Sequence, residues 1–239
     1  MDTVKINKRQ AKMIAHRGLS GLERENTNVA FVAAGQRTHF GIETDVYRTV
    51  DGHYVLHHDY STARGAIDDL KIPESTFETL RAIKLLDKDG VTKRNDLRIP
   101  TLEEYIRTCK RYGKVGVLEF KTVYKPEHIA EMVDIIRRED YLDGIIFISF
   151  ALDNLIHLRE ILPGHPCQFL TGEWNDALIP TLTEHKMDLD IYWEQLTEER
   201  IELCHRNGIV VNAWTVDDPG AGEKLAAWGI DYITSNILE

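Results

Sequence analysis

The chain has 239 residues, enough for one large domain or two small ones, and its hydrophobic (43%) and charged (28%) fractions are typical of a soluble globular protein. Its net charge of −10 argues against general binding to nucleic acid or stable association with anionic membranes, although it is compatible with a local basic site for one phosphate. The three cysteines (Cys109, Cys167 and Cys204) are widely spaced, and no apolar run suits a signal peptide or a membrane span. We therefore predict a cytoplasmic protein in a reducing compartment.

Short apolar runs alternate with longer amphipathic ones along the chain. Several of these runs are apolar at consecutive positions, as at 145–148, which is typical of strands buried on both faces of a parallel sheet. The predicted strands are 13–16, 41–46, 115–120, 144–150, 167–171, 189–193, 209–215 and 232–234.

Helix signals lie between most of these strands. Thr101 and Glu104 match a capping box, and Pro126 suits the first position of a helix. Gly208 and Gly229 suit positions just after a helix. Eight strands, most followed by a helix, fit either a doubly wound sheet or a (β/α)₈ barrel. The strand count and the chain length favour the α/β class with a (β/α)₈ TIM barrel.

One stretch, at about 47–100, lacks a clean strand–helix unit. Asp51 and Gly52 form a turn signal between 45–50 and 53–58, which predicts a hairpin. Long excursions from a compact fold are often functional. We predict a small insertion after the second strand of a single domain spanning 1–239.

Glu43 and Asp45 lie two residues apart in an apolar strand, so their carboxylates share one face. Two adjacent like charges repel unless a metal, a cation or a shared proton offsets them. The alternative is an exposed sheet edge on which both carboxylates are solvated.

Glu119 and Lys121 repeat this spacing near the end of another predicted strand. In a parallel barrel, active sites are built at the carboxyl ends of the strands. Glu119 could supply a third oxygen ligand and Lys121 a charge for phosphate. A plain ion pair between the two is the alternative.

His16 comes at the end of the first predicted strand, before Arg17 and Gly18, where it could serve as a general acid or base. His57 and His58 follow the predicted hairpin on opposite faces, and strand parity does not choose between them. We expect ordinary surface roles for the other seven histidines, which are His39, His53, His128, His157, His165, His185 and His205.

The motifs taken together resemble the glycerophosphodiester phosphodiesterase family, in order and through nearly the whole chain. They are AHRG at 15–18, ENT at 25–27, IETDV at 42–46, DGHYVLHHD at 51–59, IPTLEE at 99–104, LEFK at 118–121, ISF at 148–150 and NAWTV at 212–216. The resemblance implies a TIM barrel with an insertion after its second strand, and metal-dependent hydrolysis of small-molecule glycerophosphodiesters to glycerol 3-phosphate and an alcohol.

The resemblance also implies residue roles. A divalent cation, Mg²⁺ or Ca²⁺, would be held by Glu43, Asp45 and Glu119, whose oxygens suit such hard ions. His16 and His58 would form the acid/base pair. The residues implied to bind substrate are Arg17 and Lys121 on the phosphate and Trp214 on the alcohol side.

The sequence departs from the family pattern in three loops. Arg24 replaces the usual proline, Gly65 follows Arg64 in place of threonine, and Thr234 is followed by Ser235 in place of aspartate. Two other functions stay open: a phospholipase C- or D-like enzyme acting on lipids or lysolipids, and a non-catalytic metabolite-binding barrel. The head group, the metal and the oligomeric state are not determined by the sequence.

Overall fold

The computed structural model describes residues 2–239. Its nine strands belong to one sheet. They are β1 (Lys12–Ala15), β2 (Gly41–Arg48), β3 (Tyr54–Leu56), β4 (Val115–Phe120), β5 (Ile145–Ser149), β6 (Cys167–Thr171), β7 (Asp188–Tyr192), β8 (Val211–Trp214) and β9 (Tyr232–Ser235).

Eight of these strands form a closed parallel barrel. β1 pairs in parallel with both β2 and β9, and the remaining barrel strands pair in parallel in the order β2-β4-β5-β6-β7-β8-β9. This arrangement confirms the predicted (β/α)₈ TIM barrel. The strand predictions differ from the observed bounds by only a few residues.

Helices cover the outside of the barrel. They are α1 (Asn28–Gly35), α2 (Phe77–Ala82), α3 (Leu102–Tyr112), α4 (Pro126–Arg138), α5 (Leu152–Ile161), α6 (Leu178–His185), α7 (Glu198–Arg206) and α8 (Pro219–Ala227). Thr101 and Glu104 form the predicted capping box of α3, and Pro126 begins α4. α2 and α6 were not predicted, because α2 is a six-residue helix and α6 carries Pro180 in its first turn. Among the described residues, no helix combines the length and apolar character that a bilayer crossing requires.

Successive side chains of each strand point alternately out of and into the barrel, and this divides the apolar residues into two layers. One set, including Met13, Ile42 and Phe147, packs between the sheet and the helices. The other, including Val117 and Ile148, fills the barrel interior. Glu43, Asp45 and Glu119 share the parity of the interior set, so they project into the barrel.

The segment after β2 follows the predicted hairpin. β3 pairs antiparallel with β2 through Val46 and Leu56, and α2 lies further along the excursion. A separate apolar cluster fixes this region to the barrel wall, with Tyr47, Val55, Leu80 and Ile99 among its members. The segment thereby holds His58 beside the end of β2.

The expected surface role is wrong for His39. This side chain is only 1% exposed, and its Nε2 lies 3.1 Å from the Leu238 carbonyl oxygen. It lies two residues before β2 at the amino end of the barrel, beside the last residues of the chain. His39 lies in a short loop, where no periodic pattern in the sequence could have predicted that its side chain is buried.

Candidate active site

Three carboxylates meet inside the barrel near its carboxyl end. β2 and β4 pair so that Asp45 lies opposite Glu119, and Glu43 lies two residues earlier on β2. One oxygen from each carboxylate lies within 4.8 Å of the others, and the three residues are between 1% and 8% exposed. The alternative of an exposed, solvated edge for Glu43 and Asp45 is therefore wrong.

Two cations contact this cluster. Lys121 Nζ lies 2.9 Å from Glu119 Oε1 and 3.3 Å from Asp45 Oδ1, and Arg17 Nε lies 3.6 Å from Asp45 Oδ2. The Arg17 backbone N–H donates to Glu43 Oε2 at 2.7 Å. The ion pair of Glu119 and Lys121, which the sequence left open as the alternative, thus exists as part of a larger cluster.

The charges do not balance, and the pKa values reflect this. Burial, together with Asp45 and Glu119, raises the pKa of Glu43 well above its ordinary value. Burial and the charge of Asp45 raise the pKa of Glu119 to about 8. Burial also acts to raise the pKa of Asp45, but Lys121 and Arg17 outweigh it and lower that pKa. Protons or a further cation must therefore compensate the cluster near neutral pH.

The cluster fits a hard divalent cation. Its donors are all carboxylate oxygens, the ligand type that Mg²⁺ and Ca²⁺ prefer. Asp45 Oδ1 is buried without a hydrogen bond, although Lys121 Nζ lies within ion-pair range. Its other oxygen, Oδ2, accepts a 2.7 Å hydrogen bond from Asn26 Nδ2, which orients the carboxylate.

His16 lies just past β1, beside the acidic cluster. Its Nε2 is 3.9 Å from Glu43 Oε2, and its Nδ1 is 2.8 Å from Asn236 Oδ1. Burial and the neighbouring Arg17 lower its pKa to about 4. Arg17 and Gly18 both have positive φ (53° and 74°), and a Cβ on Gly18 would lie 2.7 Å from the Ala30 carbonyl carbon. Only glycine fits this turn without strain.

His58 is held by a different partner. Its Nδ1 lies 2.6 Å from Asp59 Oδ1, and Arg64 Nε donates to Asp59 Oδ2 at 2.6 Å. His58 lines the same pocket as His16, whereas His57 does not and instead bonds through Nδ1 to the Asp59 carbonyl oxygen. The structure thereby resolves the parity question in favour of His58 as the residue at the pocket.

The pocket has a volume of about 150 Å³ and two kinds of wall. Arg17 and Lys121 lie on the charged side with the carboxylates. Trp214 lies on the apolar side, where its ring packs edge-on against Phe150 with centroids 5.6 Å apart. Asp45 lies within the cluster, and the seven other residues predicted for the site line this pocket.

Three polar residues of the site were not singled out from the sequence. Asp190 is 2% exposed and lines the pocket with Oδ1 unpaired. Its burial raises its pKa well above the ordinary value. Asp190 lies two residues before the end of β7, at a position whose side chain points into the barrel. This position in the strand is the sequence signal that could have identified it. Asn26 and Asn236 follow no strand periodicity, and only their tertiary contacts reveal them.

Carboxylates that could hold a divalent ion, histidines that could transfer protons and cations that could bind an anion together form the kind of site that a phosphodiester hydrolase requires. Within that class, the chain belongs to the Glycerophosphoryl diester phosphodiesterase family, whose model matches residues 16–238. It is therefore an enzyme that hydrolyses glycerophosphodiesters.

Individual relatives agree with this assignment. The chain is 37% identical over 266 residues to a Bos taurus protein named Glycerophosphodiester phosphodiesterase 1, covering 95% of this chain and 78% of that one. It is 28% identical to a Glycerophosphodiester phosphodiesterase of Caldanaerobacter subterraneus subsp. tengcongensis, covering 95% and 94%. It is also similar in structure to an Oleispira antarctica phosphodiesterase solved with the product sn-glycerol-3-phosphate. For that structure the TM-score is 0.87 and the identity 25%, with coverage of 98% and 96%.

Proposed function

We propose that this enzyme releases glycerol 3-phosphate and an alcohol from glycerophosphodiesters, using Glu43, Asp45 and Glu119 to hold Mg²⁺ or Ca²⁺. The observation that carries the proposal is the buried acidic cluster with both histidines beside it. Such an ion would stabilise negative charge growing on the phosphoryl oxygens. The choice between Mg²⁺ and Ca²⁺ depends on how many further oxygens complete the coordination.

His16 and His58 divide the proton transfers in this proposal. The lowered pKa of His16 keeps its imidazole neutral near pH 7, which suits a general base acting on the attacking hydroxyl. A neighbouring glycerol hydroxyl is the attacking group that the family resemblance suggests. The pKa of His58 is lowered, chiefly by burial, which makes its imidazolium a stronger acid toward the leaving alcohol. The carboxylates of Asp45 and Asp59 act in the opposite direction and limit this shift. Each transfer contributes about 10²–10⁴-fold.

Arg17 and Lys121 bind the phosphate in this account. Both now share the carboxylates of the cluster, at 2.9–3.6 Å. When these carboxylates are neutralised by a divalent ion, the two cations become available for the substrate anion. The half-buried Trp214 forms the apolar wall against which the alcohol packs.

We also infer that residues 1–239 act as one barrel domain, since a single closed sheet runs from β1 to β9.

The three cysteines are unpaired and buried, which supports our prediction of a reducing compartment.

Four variants test the assigned roles. His16→Ala and His58→Ala should each lower kcat by about 10²–10⁴-fold while metal binding persists. Glu43→Gln and Glu119→Gln should remove metal binding, measured by titration calorimetry, together with activity. His157→Ala, on the outer helix α5, is the matched control and should keep full activity. Full turnover by either pocket-histidine variant would refute its role, and undiminished metal affinity in the glutamine variants would refute the ligand set.

A further inference from the structure

Asn236 lies behind His16, on the side away from the acidic cluster. His16 Nδ1 is 2.8 Å from Asn236 Oδ1, while its Nε2 is directed to Glu43 Oε2 at 3.9 Å. Asn236 follows β9 directly, in the segment where the sequence departs from the family pattern. Nothing in the family motifs assigns it a role.

Asp217 determines which way the Asn236 amide points. Asn236 Nδ2 donates to Asp217 Oδ2 at 2.6 Å, and the Asn236 backbone N–H donates to Asp217 Oδ1 at 2.8 Å. The same Oδ1 accepts from Ser235 Oγ at 2.9 Å. A carboxylate only accepts hydrogen bonds, so the amide nitrogen must face Asp217 and the amide oxygen must face His16.

The orientation of the amide determines the tautomer of the imidazole. An amide oxygen only accepts, so His16 must carry its hydrogen on Nδ1. Ser20 Oγ lies 2.6 Å from the same amide oxygen and 2.7 Å from the His16 carbonyl oxygen. The single hydrogen of this hydroxyl can be donated to the amide oxygen, which agrees with that oxygen acting only as an acceptor. The neutral ring therefore presents a free lone pair at Nε2, toward the pocket.

We propose that Asn236, oriented by Asp217, is a positioning residue that holds His16 as the Nδ1–H tautomer with Nε2 ready to accept a proton. The proposal rests on the role of His16 as a base in the proposed function. It adds a relay from the exposed Asp217 through Asn236 to the reacting histidine. The wrong histidine tautomer can lower kcat by up to about 10⁴-fold, so such a relay has a large effect available to it.

Asp217→Asn is the most informative change, because it leaves His16 and Asn236 themselves unaltered and changes only the group that orients the Asn236 amide. The oxygen of the new amide at position 217 would keep the bonds from the backbone N–H of Asn236 and from Ser235, so its NH₂ would face the Asn236 NH₂. The Asn236 amide would flip to relieve this conflict and would present a donor to His16. His16 would then carry its hydrogen on Nε2, where it can no longer accept a proton.

The double exchange Asn236→Asp with Asp217→Asn restores every donor and acceptor. The new carboxylate at position 236 would accept from His16, from Ser20 and from the new NH₂ at position 217. We expect kcat to fall by roughly tenfold to hundredfold in Asp217→Asn with KM little changed, and most of that loss to be recovered in the double variant. Asp143→Asn, which removes one charge on the exposed turn Leu142–Gly144, is the matched control.

Nitrogen NMR of ¹⁵N-histidine protein gives a readout that does not depend on turnover. The signal of His16 is identified among the ten histidines by its loss in His16→Ala. We expect the Nδ1–H pattern in the wild type and the double variant, and the Nε2–H pattern in Asp217→Asn. An Nε2–H pattern in the wild type, or an unchanged kcat in Asp217→Asn, would overturn the proposal.

The two proposals fail separately. If the wild type shows the Nδ1–H pattern and Asp217→Asn reverses it, but no glycerophosphodiester is cleaved, then the relay stands and the proposed function fails. If the wild type is active but the double variant stays as impaired as Asp217→Asn, then the relay fails and the function stands.

Discussion

Glu119→Gln should change how the stability of the metal-free protein depends on pH. Glu119 is 8% exposed, and burial with the charge of Asp45 raises its pKa from 4.5 to about 8. Over the pH range between these values, the folded state keeps a proton that the unfolded state has lost. Wild-type stability therefore contains a contribution that falls as pH rises from about 5 to about 8. Glutamine does not titrate, so the variant lacks this contribution.

The magnitude follows from the width of that range. Each pH unit corresponds to about 1.4 kcal/mol, so three units amount to about 4 kcal/mol. The free energy of unfolding of Glu119→Gln minus that of the wild type should rise by about this amount between pH 5 and pH 8. Taking the difference cancels the titration of the buried histidines, which is common to both proteins.

Urea unfolding in the presence of a chelator measures this difference, with equal m-values as the condition for comparison. Glu184→Gln, exposed on α6, is the matched control, and its difference from the wild type should stay flat with pH. Saturating Mg²⁺ should flatten the wild-type dependence, because the ion binds the ionised carboxylate. If the difference in free energy of unfolding between Glu119→Gln and the wild type does not change with pH, then Glu119 does not have a raised pKa in the folded protein and the reasoning is refuted.

Three further changes test the packing and the positioning of the site. Tyr105→Phe removes a buried 2.6 Å hydrogen bond to the Ile42 carbonyl of β2. Urea unfolding should show a loss of about 1–2 kcal/mol with kcat unchanged, and an unaltered unfolding midpoint would contradict this. Thr101→Ala removes the capping box of α3 and should cost about 1 kcal/mol by the same assay, whereas no loss would show that the cap is dispensable. Arg64→Ala frees Asp59 and should lower kcat up to about tenfold with the metal-induced rise in Tm preserved. An unchanged kcat would show that Arg64 does not help Asp59 to hold His58 in position.

Periodicity predicted the parts of this molecule that repeat. Consecutive apolar positions identified the buried parallel strands, and a spacing of two placed Glu43 with Asp45, and Glu119 with Lys121, on a shared face. The structure shows that the face of the three carboxylates is the inner one. The capping box and the Asp51–Gly52 turn are local signals, and both elements form as predicted. These features depend on neighbours in the chain, which a single sequence contains.

The features that were missed depend on distant contacts. Asn236 reaches His16 across 220 positions of sequence, because β1 and β9 are adjacent only once the barrel closes. His39 is likewise buried against a distant part of the chain, where its Nε2 lies within hydrogen-bond distance of the Leu238 carbonyl oxygen. Strand parity showed that His57 and His58 differ in direction, but it could not say which direction leads to the pocket.

Release of glycerol 3-phosphate from glycerophosphocholine by the wild-type protein, with Mg²⁺ or Ca²⁺ and then with a chelator, is the most direct test of the central claim. The account predicts metal-dependent release of glycerol 3-phosphate and choline in equal amounts, with lysophospholipid a poorer substrate. No glycerol 3-phosphate from any of a panel of glycerophosphodiesters at full metal occupancy, or cleavage to glycerol and phosphocholine, would contradict it.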